Sequence, residues 1–178
     1  MTLKNRNFSF LKITDSIGAS ACLLGSSCNY KAQGNLNFWV RKLKEEFSFS
    51  WELFCPEDFV MGTPREPVNI VGGTGADVWE GTARVLTHKG EDVTALMKKG
   101  AIQFEALLRR KNIRLVILKE KSPSCGVFHI YDGTLWPEKK LIKGQGVTSA
   151  FLSQKGYVVL SDQKEAQDFY EYACERWR

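Results

Sequence analysis

Three short apolar runs in this chain each give out at or near a cysteine. Ser16-Ile17-Gly18-Ala19-Ser20-Ala21 leads into Cys22, and Trp51-Glu52-Leu53-Phe54 leads into Cys55. Ile113-Arg114-Leu115-Val116-Ile117-Leu118 is followed by the turn Lys121-Ser122-Pro123-Ser124-Cys125-Gly126. Runs this short read as buried strands rather than core helices. The segments between them have a helical period instead. Residues 36–47 place Leu36, Val40, Leu43 and Phe47 on one face. Residues 93–111, capped by Asp92, carry Val93, Leu96, Met97, Ala101, Phe104, Leu107 and Leu108 on one stripe.

A short helix over 148–155, stopped by Gly156, a strand over 157–160 and a helix over 165–177 continue the alternation. Strands alternating with helices imply a three-layer α/β/α fold with a mainly parallel, Rossmann-like sheet. Ligands of such sheets bind outside the carboxyl ends of the strands. Cys22, Cys55 and Cys125 therefore meet at one edge if their three strands are neighbours. Residues 59–77 hold Gly62, Pro64, Pro67, Gly72, Gly73 and Gly75 and read as one long loop. Gly72-Gly73-x-Gly75 is a weak phosphate-loop candidate, since no strand is expected before it and no Lys-Ser/Thr pair follows. Residues 1–15 read as an N-terminal extension, and 16–178 as one α/β domain.

The charge balance excludes little. Lys and Arg number 25 against 20 acids, and they are scattered. Solvated helix faces account for them better than a nucleic-acid footprint does. No apolar stretch approaches the roughly 18 residues of a membrane span. The first residues show no apolar signal region, so the expected location is cytoplasmic. In a reducing compartment five cysteines do not form a disulfide framework. Oligomeric state leaves no readable mark.

In the turn of residues 121–126, Pro123 and Gly126 stop regular structure. A cysteine kept for packing belongs inside an apolar run, so Cys125 reads as displayed. Zinc, an iron–sulfur cluster and thiol redox chemistry each remain open for three thiols at one edge. The gaps are too wide for a zinc knuckle, and Cys28 as a fourth ligand fits no common spacing. A [4Fe–4S] cube held by three thiolates leaves one iron open to a substrate. A redox site lacks its C-x-x-C. Three unrelated turn cysteines are the plain alternative. Glu57, two residues past Cys55, is a candidate general acid or base, and Ser122, three before Cys125, can hold substrate or water.

Several motifs then occur in one order: S-A-C-L-L-G (20–25), C-P-E (55–57), T-P-R-E-P (63–67), D-V-T (92–94), L-K-E-K-S-P-S-C-G (118–126), I-Y-D-G-T (130–134) and G-Q-G-V-T-S-A (144–150). The chain resembles the thiouracil desulfidases over residues 16–161. The resemblance implies a [4Fe–4S] cluster bound by Cys22, Cys55 and Cys125, with the open iron taking the sulfur of a thiolated pyrimidine. It implies hydrolysis of thiouracil to uracil and sulfide without net redox change, assisted by Glu57 and Ser122. Asn29-Tyr30-Lys31-Ala32 departs from the family's usual R-Y-D-G, which bears on substrate preference. A thiolated nucleoside, nucleotide or tRNA base is the alternative substrate, and a non-catalytic metal- or nucleotide-binding module the alternative function. Cys28 reads as structural or accessory, and Cys174 as a core residue of the terminal helix.

Overall fold

The computed structural model of the chain describes residues 8–135 and 137–178. Its elements in order are β1 (Ser16–Ser20), α1 (Phe38–Glu46), β2 (Ser50–Phe54), α2 (Pro56–Met61), β3 (Val68–Val71), α3 (Gly75–Glu80), β4 (Arg84–Thr87) and α4 (Thr94–Arg110). They continue with β5 (Leu115–Leu118), β6 (His129–Tyr131), β7 (Leu141–Lys143), α5 (Val147–Gln154), β8 (Val158–Ser161) and α6 (Lys164–Trp177).

The central sheet is parallel, in the order β2-β1-β5-β8. Each residue of β5 is buried, as a continuous apolar run in the middle of a two-faced sheet should be. α1 and α6 cover one face and pack on each other, while α4 and α5 cover the other. The result is the expected three-layer arrangement. On α4 the buried positions Met97, Ala101, Phe104 and Leu108 repeat at helical spacing. Leu96, assigned to that stripe by sequence, is instead 39% exposed. Asp92 is not the cap: α4 starts at Thr94, its N-cap is Val93 without a side-chain bond, and Asp92 Oδ1 instead accepts from Thr94 N at 2.9 Å in the turn that leads into the helix. α1 starts later than its periodicity suggests. Asn37 accepts from the backbone N–H groups of Trp39 and Val40, so Leu36 lies ahead of the helix and is 57% exposed.

The register aligns the strand ends. Ser20 pairs with Phe54, and Leu118 pairs with Ser161. The chain leaves β1 toward β2 on one side and reaches β5 on the other, so the order reverses between β1 and β5. That reversal is where open α/β sheets form a crevice at their carboxyl edge. Phe8 and Leu11, read from the sequence as part of an extension, are buried against α6. The Phe8 ring stands 5.1 Å from that of Phe169 and 5.2 Å from that of Tyr172. Residues 1–7 of that extension lie outside the described residues.

The region 59–77 is not a loop. α2 covers its start, and β3 forms an antiparallel hairpin with β4, Val68 opposite Thr87. Val68, Ile70, Val78 and Val85 then bury a second core with Met97, Ala101 and Val147. A second hairpin, β6–β7, joins this unit through a bridge between Ile70 and Asp132. The glycine-rich turn does follow a strand, β3, contrary to expectation. Even so, it is no phosphate cradle. Gly75 N–H donates to Gln145 O at 2.7 Å and Thr74 N–H to Asp77 Oδ2 at 2.7 Å, so the two donors at the start of α3 that a phosphate would need are already taken.

One glycine ties this scaffold to the edge that carries the thiols. A Cβ on Gly100 of α4 would stand 2.4 Å from the carbonyl oxygen of Pro56, in the Cys55-Pro56-Glu57 segment. Because the obstacle is backbone, Gly100→Ala forces α4 and α2 apart. The expected loss is about 1–3 kcal/mol of unfolding free energy, from overpacking that outweighs alanine's better helix propensity. Urea denaturation of the variant checks this. Unchanged stability would mean that the two helices slide freely.

Candidate active site at the carboxyl edge of the sheet

Two backbone devices build the edge. After β1 the chain turns through a short 3-10 segment, Ala21–Leu24, closed by Gly25 in the left-handed conformation (φ 96°), which leaves Cys22 buried just past the strand. After β2, Cys55 is the N-cap residue of α2 and Pro56 occupies its first turn, as proline's fixed φ favours. That geometry starts a helix at once and places Glu57 one turn from the sheet.

The third segment, after β5, is held from several sides. The buried Glu120 carboxylate accepts from the backbone N–H groups of Val127 (3.3 Å), Phe128 (3.1 Å) and His129 (2.7 Å). The Ser122 hydroxyl accepts from Ser124 N (3.1 Å) and Cys125 N (3.0 Å). The first turn of α5 then donates back, Val147 N to Pro123 O and Thr148 N to Ser124 O, both at 2.9 Å. This clamping corrects one expectation. Cys125 is not displayed but buried, at 5% exposure, because α5 roofs the turn. It also lies seven positions past Leu118, the last residue of β5, rather than directly at a strand end.

Ser122 also reaches across the site. Its hydroxyl donates to Glu57 Oε1 at 3.1 Å, joining the Cys125 turn to the Cys55-Pro56-Glu57 segment. The other carboxylate oxygen, Oε2, accepts from Arg65 Nη2 at 3.0 Å and Nε at 3.4 Å. Both side chains of this ion pair are largely withdrawn from solvent, Arg65 at 6% and Glu57 at 14% exposure. Arg65 was not among the sequence candidates. Its only signal was the motif T-P-R-E-P, which carries no hint of which acid the guanidinium meets.

Four thiols sense one another here. Cys28 is buried and its thiol hydrogen-bonds to those of Cys22 and Cys55. The contact with Cys22 first, then that with Cys55 and burial, push it well above the ordinary thiol range. The same bond from Cys28 lowers Cys22, against the opposing effect of burial, and Asn35 and Lys119 add to the lowering. Cys55 is lowered first by Cys28 and then by the Asp58 backbone N–H and by Arg65, with burial and Glu57 opposing. Cys125 is pushed up by burial and by the fields of Cys55, Glu57 and Cys22, although a hydrogen bond with Ser20 counters this. Cys174 is apart from the group, half-buried on α6 at the margin of the core.

The edge therefore brings together Cys22, Cys55, Cys125, Glu57 and Ser122, and adds Cys28 and Arg65. Among the described residues no three His, Cys, Asp or Glu side chains close into a cage for a single ion. The donors are instead soft sulfurs on separate backbone segments, a set suited to a thiolate-bound iron–sulfur centre rather than to a hard cation. A 410 Å³ cleft lined by Arg109, Arg114 and Tyr157 lies beside the amino ends of β5 and β8, away from these groups.

The model of the 2-thiouracil desulfurase family matches residues 17–164. The uncharacterized protein YbbK of Bacillus subtilis (strain 168) is 46% identical over 146 residues, covering 80% of this chain and 93% of YbbK. A solved structure described as a [4Fe-4S]-dependent thiouracil desulfidase, TudS, superimposes with a TM-score of 0.72 at 32% identity. The match covers 90% of this chain and 99% of TudS. No described helix is long and apolar enough to cross a membrane.

Proposed function

We propose, from the premise that this chain belongs to the 2-thiouracil desulfurase family of enzymes, that it removes sulfur from a thiolated pyrimidine at the carboxyl edge of its sheet. The observation that carries this reading is the 3.1 Å bond from Ser122 to Glu57, which joins a proton-transfer group to two of the three thiol-bearing segments. Cys22, Cys55 and Cys125 are the residues proposed to hold a [4Fe–4S] cluster, as in the neighbour described as [4Fe-4S]-dependent. The donor chemistry fits, because all three are sulfurs and each comes from a different segment, as ligands spread over separate irons should be. When bound, the cluster supplies a Lewis-acidic iron with affinity for a soft thiocarbonyl sulfur.

In the overall change, C=S becomes C=O. Water supplies the oxygen, the sulfur leaves as hydrogen sulfide, and no electrons are exchanged with an external partner. The chain's own part is proton transfer and positioning. Glu57 Oε2 is filled by two donors of Arg65, and Oε1 takes one hydrogen from Ser122. A carboxylate oxygen accepts about two hydrogen bonds. The remaining acceptor site is therefore on Oε1, and this is the atom to which the attacking water gives its proton. Ser122 holds that oxygen in place while its lone pairs fix the Cys125 turn. Cys28 interacts with both Cys22 and Cys55 and is not assigned as a ligand.

The test is sulfide release by the anaerobically reconstituted protein, assayed in parallel on 2-thiouracil, 4-thiouracil and thiouridine. Release from the free bases supports the pyrimidine reading. Release from the nucleoside alone moves the substrate class to thiolated nucleosides.

A further inference from the structure

The Arg65 side chain makes five polar contacts on three segments of chain. Nε and Nη2 donate to Glu57 Oε2 on α2. Nη1 donates to the carbonyl oxygen of Cys28 at 3.0 Å, and also to Gly62 O at 3.1 Å and Thr63 Oγ1 at 2.9 Å in its own turn. The backbone joins in, as Arg65 N–H donates to Tyr30 O at 3.2 Å. The Cys28 loop is thus held at two points by one residue. Its other attachments here are the Cys55 thiol and the Thr63 hydroxyl, both 3.5 Å from the Cys28 carbonyl.

We propose that Arg65 is a positioning residue for the reaction: one planar guanidinium fixes the Glu57 carboxylate and the Cys28 loop relative to each other, so that Oε1 faces the thiol cluster. The inference rests on the function proposed above. The geometry requires a fork. Nη2 and Nη1 point at different segments, and a lysine ammonium on a flexible stem supplies the charge without the two fixed directions. Nε and Nη2 are both spent on one oxygen of the proposed base. Occupying Oε2 leaves Oε1 as the edge open to proton transfer.

The experiment compares wild type, Arg65→Lys and Arg65→Ala, each reconstituted anaerobically, with iron per chain measured beside kcat and KM for sulfide release. Iron loading and cluster absorbance are expected to stay at the wild-type level. kcat is expected to fall about 10- to 100-fold in both variants, as misplacement of a reacting group does, with KM little changed. Guanidinium ion, well below denaturing concentration, should restore part of kcat in Arg65→Ala, while methylammonium should not. Full kcat in Arg65→Lys overturns the proposal, and so does parallel loss of iron and rate, which marks a folding role. The second readout needs no turnover. Hydrogen exchange in residues 26–34 of the cluster-free protein should accelerate about tenfold in Arg65→Ala. If wild type with full iron releases no sulfide, the functional reading fails and this exchange result alone judges the clamp. Faster exchange upholds it, and unchanged exchange overturns it.

Discussion

Cys55→Ser is expected to fold normally and yet hold almost no iron after anaerobic reconstitution. Serine is a preferred N-cap residue, and Cys55 occupies the N-cap of α2 without making a side-chain cap of its own. The substitution therefore does not weaken the helix, and loss of iron is read as loss of a ligand. A hydroxyl is a hard donor that stays protonated near neutral pH, a poor exchange for a thiolate on iron. Cys22→Ser and Cys125→Ser should behave alike, since these residues supply the other two segments. Cys28→Ser and Cys174→Ser should retain most of the iron. The first exchanges a thiol that is not a proposed ligand for a hydroxyl that can still hydrogen-bond, and the second lies on α6 outside the group. Iron per chain and visible absorbance decide the matter, and full loading in Cys55→Ser contradicts the ligand set.

Glu57→Gln is expected to keep the cluster and lose sulfide release by about 10²–10⁴-fold, the usual effect of removing a positioned acid or base. The amide is nearly isosteric, and Glu57 is not a proposed iron ligand. Its chemistry is nevertheless wrong on two counts. It cannot take a proton from water near neutral pH. It also offers one oxygen where Arg65 and Ser122 each need an acceptor. With the oxygen turned to Arg65, the NH₂ faces a serine oxygen that already accepts two backbone hydrogens. Ser122→Ala should differ in kind. Removing Oγ strips the acceptor from the Ser124 and Cys125 N–H groups, so iron and rate should fall together. Initial rates normalised to iron separate the two behaviours. Unchanged turnover in Glu57→Gln removes this residue from the mechanism.

The parallel sheet was legible because its signals are local. The run Leu115-Val116-Ile117-Leu118 and the stripe Met97, Ala101, Phe104, Leu108 state their burial through spacing alone. The β3–β4 hairpin was not legible. Its strands are four residues each, and Pro64, Pro67 and Gly72 crowd the first of them. What makes Val68 and Ile70 a core is a distant helix, α4, which no local pattern announces. The site divides in the same way. The convergence of Cys22, Cys55 and Cys125 follows from strands that are neighbours in the sheet. The burial of Cys125 depends on Glu120 and on α5, whose bonds to the turn join residues 24 or so positions apart, as Thr148 N to Ser124 O does. Arg65 shows the same limit, since its partners Glu57 and Cys28 lie on different segments and only the folded chain brings them to one guanidinium.

The most direct measurement is a turnover experiment on the anaerobically reconstituted wild-type chain, with iron per chain, uracil and sulfide quantified in the same sample and no reductant or oxidant supplied during turnover. The account predicts equal amounts of uracil and sulfide from 2-thiouracil, over many turnovers per chain. A protein that carries its full iron and forms neither product from any thiolated pyrimidine would contradict it.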